Sequence, residues 1–172
     1  MDYSRTKGGA ALGARLRRVS EQIDRDATRV YASLGIEFEQ RWFGVLNQLA
    51  INRTMTVSEL AQTLLITRAS VSQTRQSLED AGLVISRDHP SDARQRNLSL
   101  TPKGRRLVDR LAALWQAMDA AARQVDEEAG FVVATLDRLE VALAGKSMFA
   151  RITEQLANQD PILLSAKQPG AS

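Results

Sequence analysis

"TVSELAQTLLITRASVSQTRQSLEDAGL", residues 56–83, decides how this chain is read. Thr56 followed three residues later by Glu59 is a capping-box pattern, in which hydroxyl and carboxylate satisfy each other's backbone N–H groups at a helix start. Val57, Leu60, Ala61 and Leu64 then fall on one helical face. Thr67 can cap a second helix, with Val71 and Leu78 as its buried anchors and Gly82 as the left-handed residue at its end. Two short capped helices joined by a few residues form a helix-turn-helix.

Downstream, "LVISRD" and "QRNLSL" read as two short strands, because Leu98 and Leu100 alternate with Asn97 and Ser99. The intervening "HPSDA" supplies Pro, Ser and Asp to turn the chain, which puts Arg94 toward the tip of a hairpin. Thr101 and Pro102 start the next helix as cap and first residue. Upstream, Leu12, Leu16, Val19, Ile23 and Val30 stripe a long helix that Gly35 can stop, with residues 1–9 expected loose. A shorter, largely buried helix follows, carrying Trp42, Phe43, Leu46 and Leu49. After the hairpin, Leu107, Leu111, Leu114, Met118, Ala121 and Val125 make a heptad-like seam that Gly130 interrupts. Leu136, Leu139, Leu143, Ile152 and Leu156 extend the helical pattern, and the tail after Asp160 is expected to fray. The fold class is therefore mainly α with a small β-hairpin wing, a winged helix-turn-helix flanked by long helices. Residues 1–37 and 107–172 form the flanks and 38–106 the winged core.

Composition bounds the function. With 172 residues, 44% of them hydrophobic and only 5% aromatic, helix-on-helix packing is favoured. There is no cysteine, which removes disulfides, thiolate metal sites and thiol redox switching within these residues. The absence of an apolar span or signal core leads to an expected cytoplasmic location with no membrane partner. Residues 67–106 hold eight Lys/Arg against four Asp/Glu, whereas residues 107–172 hold six against nine. A basic middle beside an acidic end suits a protein whose centre meets a polyanion.

The second helix of the pair suits the major groove of DNA. With Val71 and Leu78 turned inward, Arg68, Ser70, Ser72, Gln73 and Gln76 are candidates for the outer side. Gln pairs bidentately with adenine and Arg with guanine, and Thr67 or Ser70 at the helix start can bond phosphate. Arg94 can enter the adjacent minor groove, with Arg96 beside it and Asp92 aiming a guanidinium. Each residue alone equally suits a solvated surface; their joint order carries the reading. Arg75, four residues after Val71, occupies a position where an aliphatic residue is expected. It can snorkel, pair with a neighbouring acid, or reach a phosphate.

The segment from Phe38 to Arg106 resembles the winged-helix core of the MarR (multiple antibiotic resistance regulator) family. The resemblance is carried by "TVSELAQTLLITRASVSQTRQSLEDAGLV" and by "RDHPSDARQRNLSLTPKG", whose Asp-x-Arg wing followed by "LTPKG" is the most specific piece. It implies a homodimer made through N- and C-terminal helices, double-stranded DNA as partner, residues 67–81 as recognition helix, Arg94 as wing arginine and Asp92 as its support. It also implies a small aromatic ligand bound between dimer helices and winged core, where Tyr31, Phe38, Arg41, Trp42 and Phe43 fall, although a Trp-Phe pair on a short helix also suits a core. "LGIEFEQRWFGVL" is similar to a subgroup joined to an acetyltransferase domain, for which the remaining residues leave no room. The stripes at 12–30 and 107–125 exceed what a small winged core can cover, so the flanking helices either dimerise or pack on each other.

The expected function is a dimeric, sequence-specific transcriptional regulator, a repressor of a palindromic operator. A winged-helix protein-interaction module without DNA binding is the alternative. No P-loop, dinucleotide-binding glycines or triad point to an enzyme, and His89 alone makes no metal site, so no cofactor is expected.

Overall fold

The computed structural model describes residues 3–89 and 92–159, with the backbone alone for residues 89 and 92–95. The described chain falls into two compact units, Met1–Met118 and Asp119–Ser172.

The first unit begins with a short helix, α1 (Tyr3–Thr6), and a single 3-10 turn at Gly8–Ala11, where a loose segment is expected from the glycines. Thr6 donates its hydroxyl to the Tyr3 carbonyl at 2.7 Å and Ala11 is buried, which gives this stretch local order. Helix α2 (Leu12–Ser33) follows, then α3 (Trp42–Asn52), a short strand β1 (Thr54–Thr56), α4 (Val57–Thr63), α5 (Arg68–Asp80), strands β2 (Val84–His89) and β3 (Asp92–Leu100), and α6 (Pro102–Glu128). Among the described residues, no helix is long and apolar enough to cross a membrane.

Local chemistry explains most boundaries. Thr56 accepts from the Glu59 N–H at 3.2 Å while Glu59 accepts from the Thr56 N–H at 2.7 Å, a complete capping box on α4. Thr67 caps α5, accepting from the Ser70 N–H at 3.1 Å. Thr101 caps α6 through the Gly104 N–H at 3.0 Å, with Pro102 as first helical residue. Helix α5 stops in a Schellman arrangement: the Leu83 N–H bonds the Leu78 carbonyl and the Gly82 N–H the Glu79 carbonyl, with Gly82 at φ +68°. The same pair of bonds closes α4 from Ile66 to Ala61 and from Leu65 to Gln62, but there the left-handed position is Leu65, at φ +53° and 85% exposed.

The sheet has three strands in the order β1-β3-β2, all antiparallel, not the two of a simple hairpin. Thr54, Met55 and Thr56 lie opposite Ser99, Leu98 and Asn97. On the other side Val84 faces Leu100, Ser86 faces Leu98 and Asp88 faces Arg96, with an irregularity between Asp88 and His89. Leu98 and Leu100 are buried, as their alternation with Asn97 and Ser99 requires. They join Leu46, Leu49, Leu60, Val71, Leu78 and Leu111 in one core.

The apolar stripe of α2 meets little of that core. Leu12, Leu16, Val19, Ile23 and Val30 remain 38–60% exposed, and only Tyr31 of this helix is buried. On α6 the seam is inward only in part: Leu111 is buried, Leu107, Leu114 and Met118 are half-buried, and Ala121 and Val125 are exposed. In the second unit, α7 (Val132–Gly145) and α8 (Met148–Gln159) bury no residue. Leu136, Leu139 and Leu156 are half-buried, while Leu143 and Ile152 are exposed. The Arg151 guanidinium ties these two helices by donating to the carbonyls of Ala142 and Lys146 at 2.8 and 3.0 Å. Residues after Asp160 lie outside the described residues.

Candidate nucleic-acid interface

Helix α5 presents one polar face. Val71, Thr74 and Leu78 are buried, and Arg68, Ala69, Ser70, Gln73, Gln76 and Asp80 are exposed, with Ser72 half-buried at the flank. Thr74, not Arg75, takes the inward position one turn after Val71; its hydroxyl is satisfied by the Ser70 carbonyl at 3.0 Å. At the helix start the Thr67 and Ser70 hydroxyls bond each other at 2.8 Å. Gln73 has no side-chain bond among the described residues, whereas the Gln76 amide donates to Asp80 at 2.9 Å.

Arg75 pairs with an acid. Its Nη1 lies 2.8 Å from Glu79 Oε2, one turn on, and both side chains are largely shielded, at 23% and 22% exposure. Glu79 Oε1 accepts a hydrogen bond from Ser86 Oγ of β2. This carboxylate thereby bridges α5 and the hairpin.

On the hairpin, Asp88 and Arg96 face each other across the ladder, two residues beyond the Ser86–Leu98 pair. With a side-chain period of two, they extend the sheet face that holds Leu98 in the core. Arg96 is exposed. Arg87, exposed on β2 opposite Asn97, adds a cation that the sequence reading passed over. Asp92 and Arg94 fall in β3, and their side chains lie outside the described residues.

The expected pocket residues divide into two groups. Tyr31 and Phe38 stack with ring centroids 4.3 Å apart, and Phe38 meets Trp42 edge-on at 5.7 Å. Trp115, which the seam reading of α6 did not include, completes the group: it lies edge-on to Phe38 and Phe43 and donates its indole N–H to the Tyr31 hydroxyl at 2.8 Å. Burial pushes the Tyr31 phenol above its ordinary pKa, opposed by the Trp115 hydrogen bond. Phe43 is 38% exposed, not buried, because it covers the outside of Trp115 instead of entering the core.

Arg41 lies on the Trp42 side of the group, away from the depression that borders Tyr31 and Phe38. Its Nε donates to Glu39 Oε2 at 2.6 Å, and Glu39 Oε1 accepts from Ser77 of α5 at 2.7 Å. Ser77 in turn accepts from the Trp42 indole N–H at 2.9 Å. The Ser77 hydrogen bond, then Arg41, hold the Glu39 carboxyl below its usual range. A depression of about 570 Å³ lies here, lined by Glu39, Arg41 and Trp42 with the α5 residues Gln73, Gln76 and Ser77. A second depression, of about 460 Å³, borders Tyr31, Ile36 and Phe38, and its one charged wall residue is Glu37.

Comparison with known proteins agrees with this geometry. Residues 34–95 match the MarR family model. A putative transcriptional regulatory protein for the hcr operon of Thauera aromatica is 32% identical over 99 residues, which cover 56% of this chain. The match spans 60% of that relative's length. Among solved structures, the S. aureus MepR–DNA complex superposes with a TM-score of 0.65 at 21% identity, covering 76% of this chain and 97% of that one. Bordetella bronchiseptica BpsR, solved in a study of how 6-hydroxynicotinic acid regulates its DNA binding, gives 0.56 at 20% identity, with 75% and 98% covered. At these identities the structures establish a shared fold. The match to the MarR family model, residues 34–95, spans the helix-turn-helix and the hairpin as far as the first part of β3.

Proposed function

We propose that the protein is a sequence-specific DNA-binding transcriptional regulator acting as a homodimer, a repressor of a palindromic operator. The observation that carries this reading is the exposed polar face of α5, with Arg68, Ser70, Gln73 and Gln76, beside a hairpin bearing Arg87 and Arg96. Gln73, free of other bonds among the described residues, is the candidate base reader; Gln76 must share its amide with Asp80. Thr67, Ser70 and Ser72 are phosphate candidates at the start and flank of the helix. Arg94 and Arg96 serve the adjacent minor groove, and Asp92 orients a wing guanidinium. A protein-docking role for α5 calls for apolar residues outward, and its exposed positions are Arg, Ala, Ser, Gln and Asp.

Residues 38–106 form the DNA-binding part in this reading, and helices from 1–37 and 107–172 form the dimer. Support comes from the exposed Leu12, Leu16, Val19, Ile23 and Val30 on α2, an apolar stripe that a second copy would cover. Two copies present two α5 helices to successive major grooves, with half-sites about one helical turn apart. A small aromatic effector, of the kind named for BpsR, fits the depression beside Tyr31 and Phe38. Its wall carries Glu37 and Arg41 is engaged by Glu39, so an uncharged or hydroxylated ring is favoured there over a carboxylate.

In vitro selection of DNA by the purified protein tests the reading. A palindromic consensus is expected, bound with a log–log salt slope of about −0.9 per phosphate contacted. Failure to enrich any sequence, with binding flat in salt, refutes it.

A further inference from the structure

We propose that Asp80 is a specificity-determining residue that acts by exclusion: its carboxylate keeps phosphate away from the C-terminal end of α5, so that the helix enters a groove by its N-terminal half and lies poorly along the backbone of non-cognate DNA. The inference rests on the DNA-binding reading above and adds to it a residue that repels.

Asp80 belongs to the face of α5 that meets DNA in that reading. Gln73, Gln76 and Asp80 follow one another at three and four residues, the spacing of neighbours on a helix surface. All three are exposed and line the same depression, and the Gln76 amide donates to Asp80 Oδ1 at 2.9 Å. A helix laid against a duplex along this face therefore brings a carboxylate with it.

The two ends of α5 differ in charge. Arg68, exposed, opens the helix, where the backbone N–H end already favours an anion. Asp80 closes it, where the carbonyl end of the helix carries the same sign as its carboxylate. An acid at this place costs the helix some stability, and the exposed side chain gives no core packing in return. Its neighbour Glu79 is neutralised by Arg75 at 2.8 Å, whereas the one bond of Asp80 among the described residues comes from an uncharged amide. Lys103 donates to the Ala81 carbonyl at 2.7 Å and forms no ion pair with Asp80 among the described residues. Across the depression Glu39 adds a second carboxylate and holds the guanidinium of Arg41 to itself. Roughly 18 Å separates Arg68 from Asp80 along the helix axis, about two screening lengths at physiological salt, so a phosphate near one end scarcely feels the other.

This gradient acts differently on right and wrong sequences. Binding to non-cognate DNA is held by phosphates alone. No base contact then fixes the angle of the helix, and lying flat brings Asp80 against the backbone. With the N-terminal half seated among base edges, the C-terminal end is lifted clear. The carboxylate thus penalises the wrong complex more than the right one and widens the ratio between them.

Asp80→Asn removes the charge and keeps an acceptor for Gln76. Affinity is measured for the operator obtained by in vitro selection and for a scrambled duplex of the same length, in one buffer. The scrambled duplex is expected to bind roughly five- to tenfold more tightly and the operator about twofold or less, so that discrimination falls. Asp24→Asn, on α2, makes the same change in net charge away from α5 and is expected to leave the ratio unchanged. Urea unfolding verifies that both variants are folded. If Asp80→Asn tightens both duplexes equally, or if Asp24→Asn lowers the ratio as much, the charge acts without regard to position and the inference is wrong. If Asp80→Asn weakens operator binding and shifts the preferred base at one position, Asp80 accepts from a cytosine amino group and exclusion is again wrong. No change in either affinity also overturns it. In each of these cases the DNA-binding reading stands. A parent protein that selects no sequence, or binds both duplexes alike, removes that reading and this inference with it.

Discussion

Replacing Gly104 by alanine is expected to destabilise the first unit by about 2–4 kcal/mol, against the helix propensity of the exchange. Gly104 is buried in the first turn of α6, where a Cβ would stand 2.1 Å from the Leu83 carbonyl oxygen and 3.0 Å from its carbon. Both are backbone atoms, so no side chain can move aside. To reach the 3.4 Å at which ordinary contact begins, α6 and the Leu83 strand start must part by more than an ångström. That separation breaks the bonds crossing the junction: Thr101 N–H to Leu83, at 3.0 Å, and the Thr101 hydroxyl to Gly82, at 2.7 Å. At about 1 kcal/mol each, plus about 1–3 kcal/mol for overpacking and less about 1 kcal/mol gained by Ala over Gly in a helix, the net falls in the stated range. Tryptophan fluorescence is the suitable probe, because both tryptophans, Trp42 and Trp115, belong to the unit Met1–Met118 and report its urea unfolding alone. Gly13→Ala is the control: nothing lies within 4 Å of its Cβ position in α2, and a gain of up to about 1 kcal/mol is expected. A Gly104→Ala protein as stable as its parent refutes the close-approach argument.

Three further outcomes are expected. Leu65→Asn should stabilise by about 0.5–1 kcal/mol in the same assay, because Asn tolerates the left-handed conformation that Leu65 adopts at φ +53° and the 85% exposed leucine forfeits little packing; a loss of stability shows that the leucine is not strained. Thr56→Ala should cost about 1 kcal/mol by opening the capping box of α4, and a change within error in the urea midpoint contradicts that. Glu39→Gln should be less stable than its parent at neutral pH, and the gap should close with acid. The Glu39 pKa is depressed in the folded state by Ser77 and then Arg41, so its contribution is present above the ordinary 4.5 and lost as pH falls through the lower folded value. Urea midpoints of both proteins from pH 7 to 3.5 measure this, and a gap that stays constant removes the Ser77–Glu39–Arg41 network from the account.

What the sequence disclosed was local chemistry. Thr56 with Glu59, Thr67, Gly82 and the Thr101–Pro102 pair each act within four residues of themselves, so spacing alone locates α4, α5 and the start of α6. Leu98 and Leu100 were legible for the same reason, since a period of two needs no knowledge of the partner strand. Strand β1 was not, because three residues carry no period and their pairing is set by β3, more than 40 residues downstream. Arg75 misled because Val71 permits an inward successor at either the third or the fourth residue; Thr74 could go in once Ser70 accepted its hydroxyl, which left Arg75 at the flank. Arg41 misled because its partner, Glu39, lies in the irregular segment before α3, where no periodicity says which way a side chain turns. Trp115 stood one residue after Leu114 of the seam and four after Leu111, a spacing that alone could have flagged it.

These misses share a physical feature that bears on the candidate interface. Arg41 and Gln76 were read as donors available to a partner and Arg75 was left open among three roles, one of them pairing with an acid; all three are engaged by carboxylates: Glu39, Asp80 and Glu79. Residue type announces a donor, but only coordinates reveal whether an acceptor within the chain has already taken it. For a bonded donor, contact with DNA is an exchange of one acceptor for another and gains less than its bare charge suggests. Gln73, Arg68 and Arg96, all exposed and without a side-chain bond among the described residues, should therefore outweigh Gln76 in binding, an order that alanine variants measured at one salt concentration would reveal. An equal loss for Gln73→Ala and Gln76→Ala would mean that the Asp80 contact is given up at no cost.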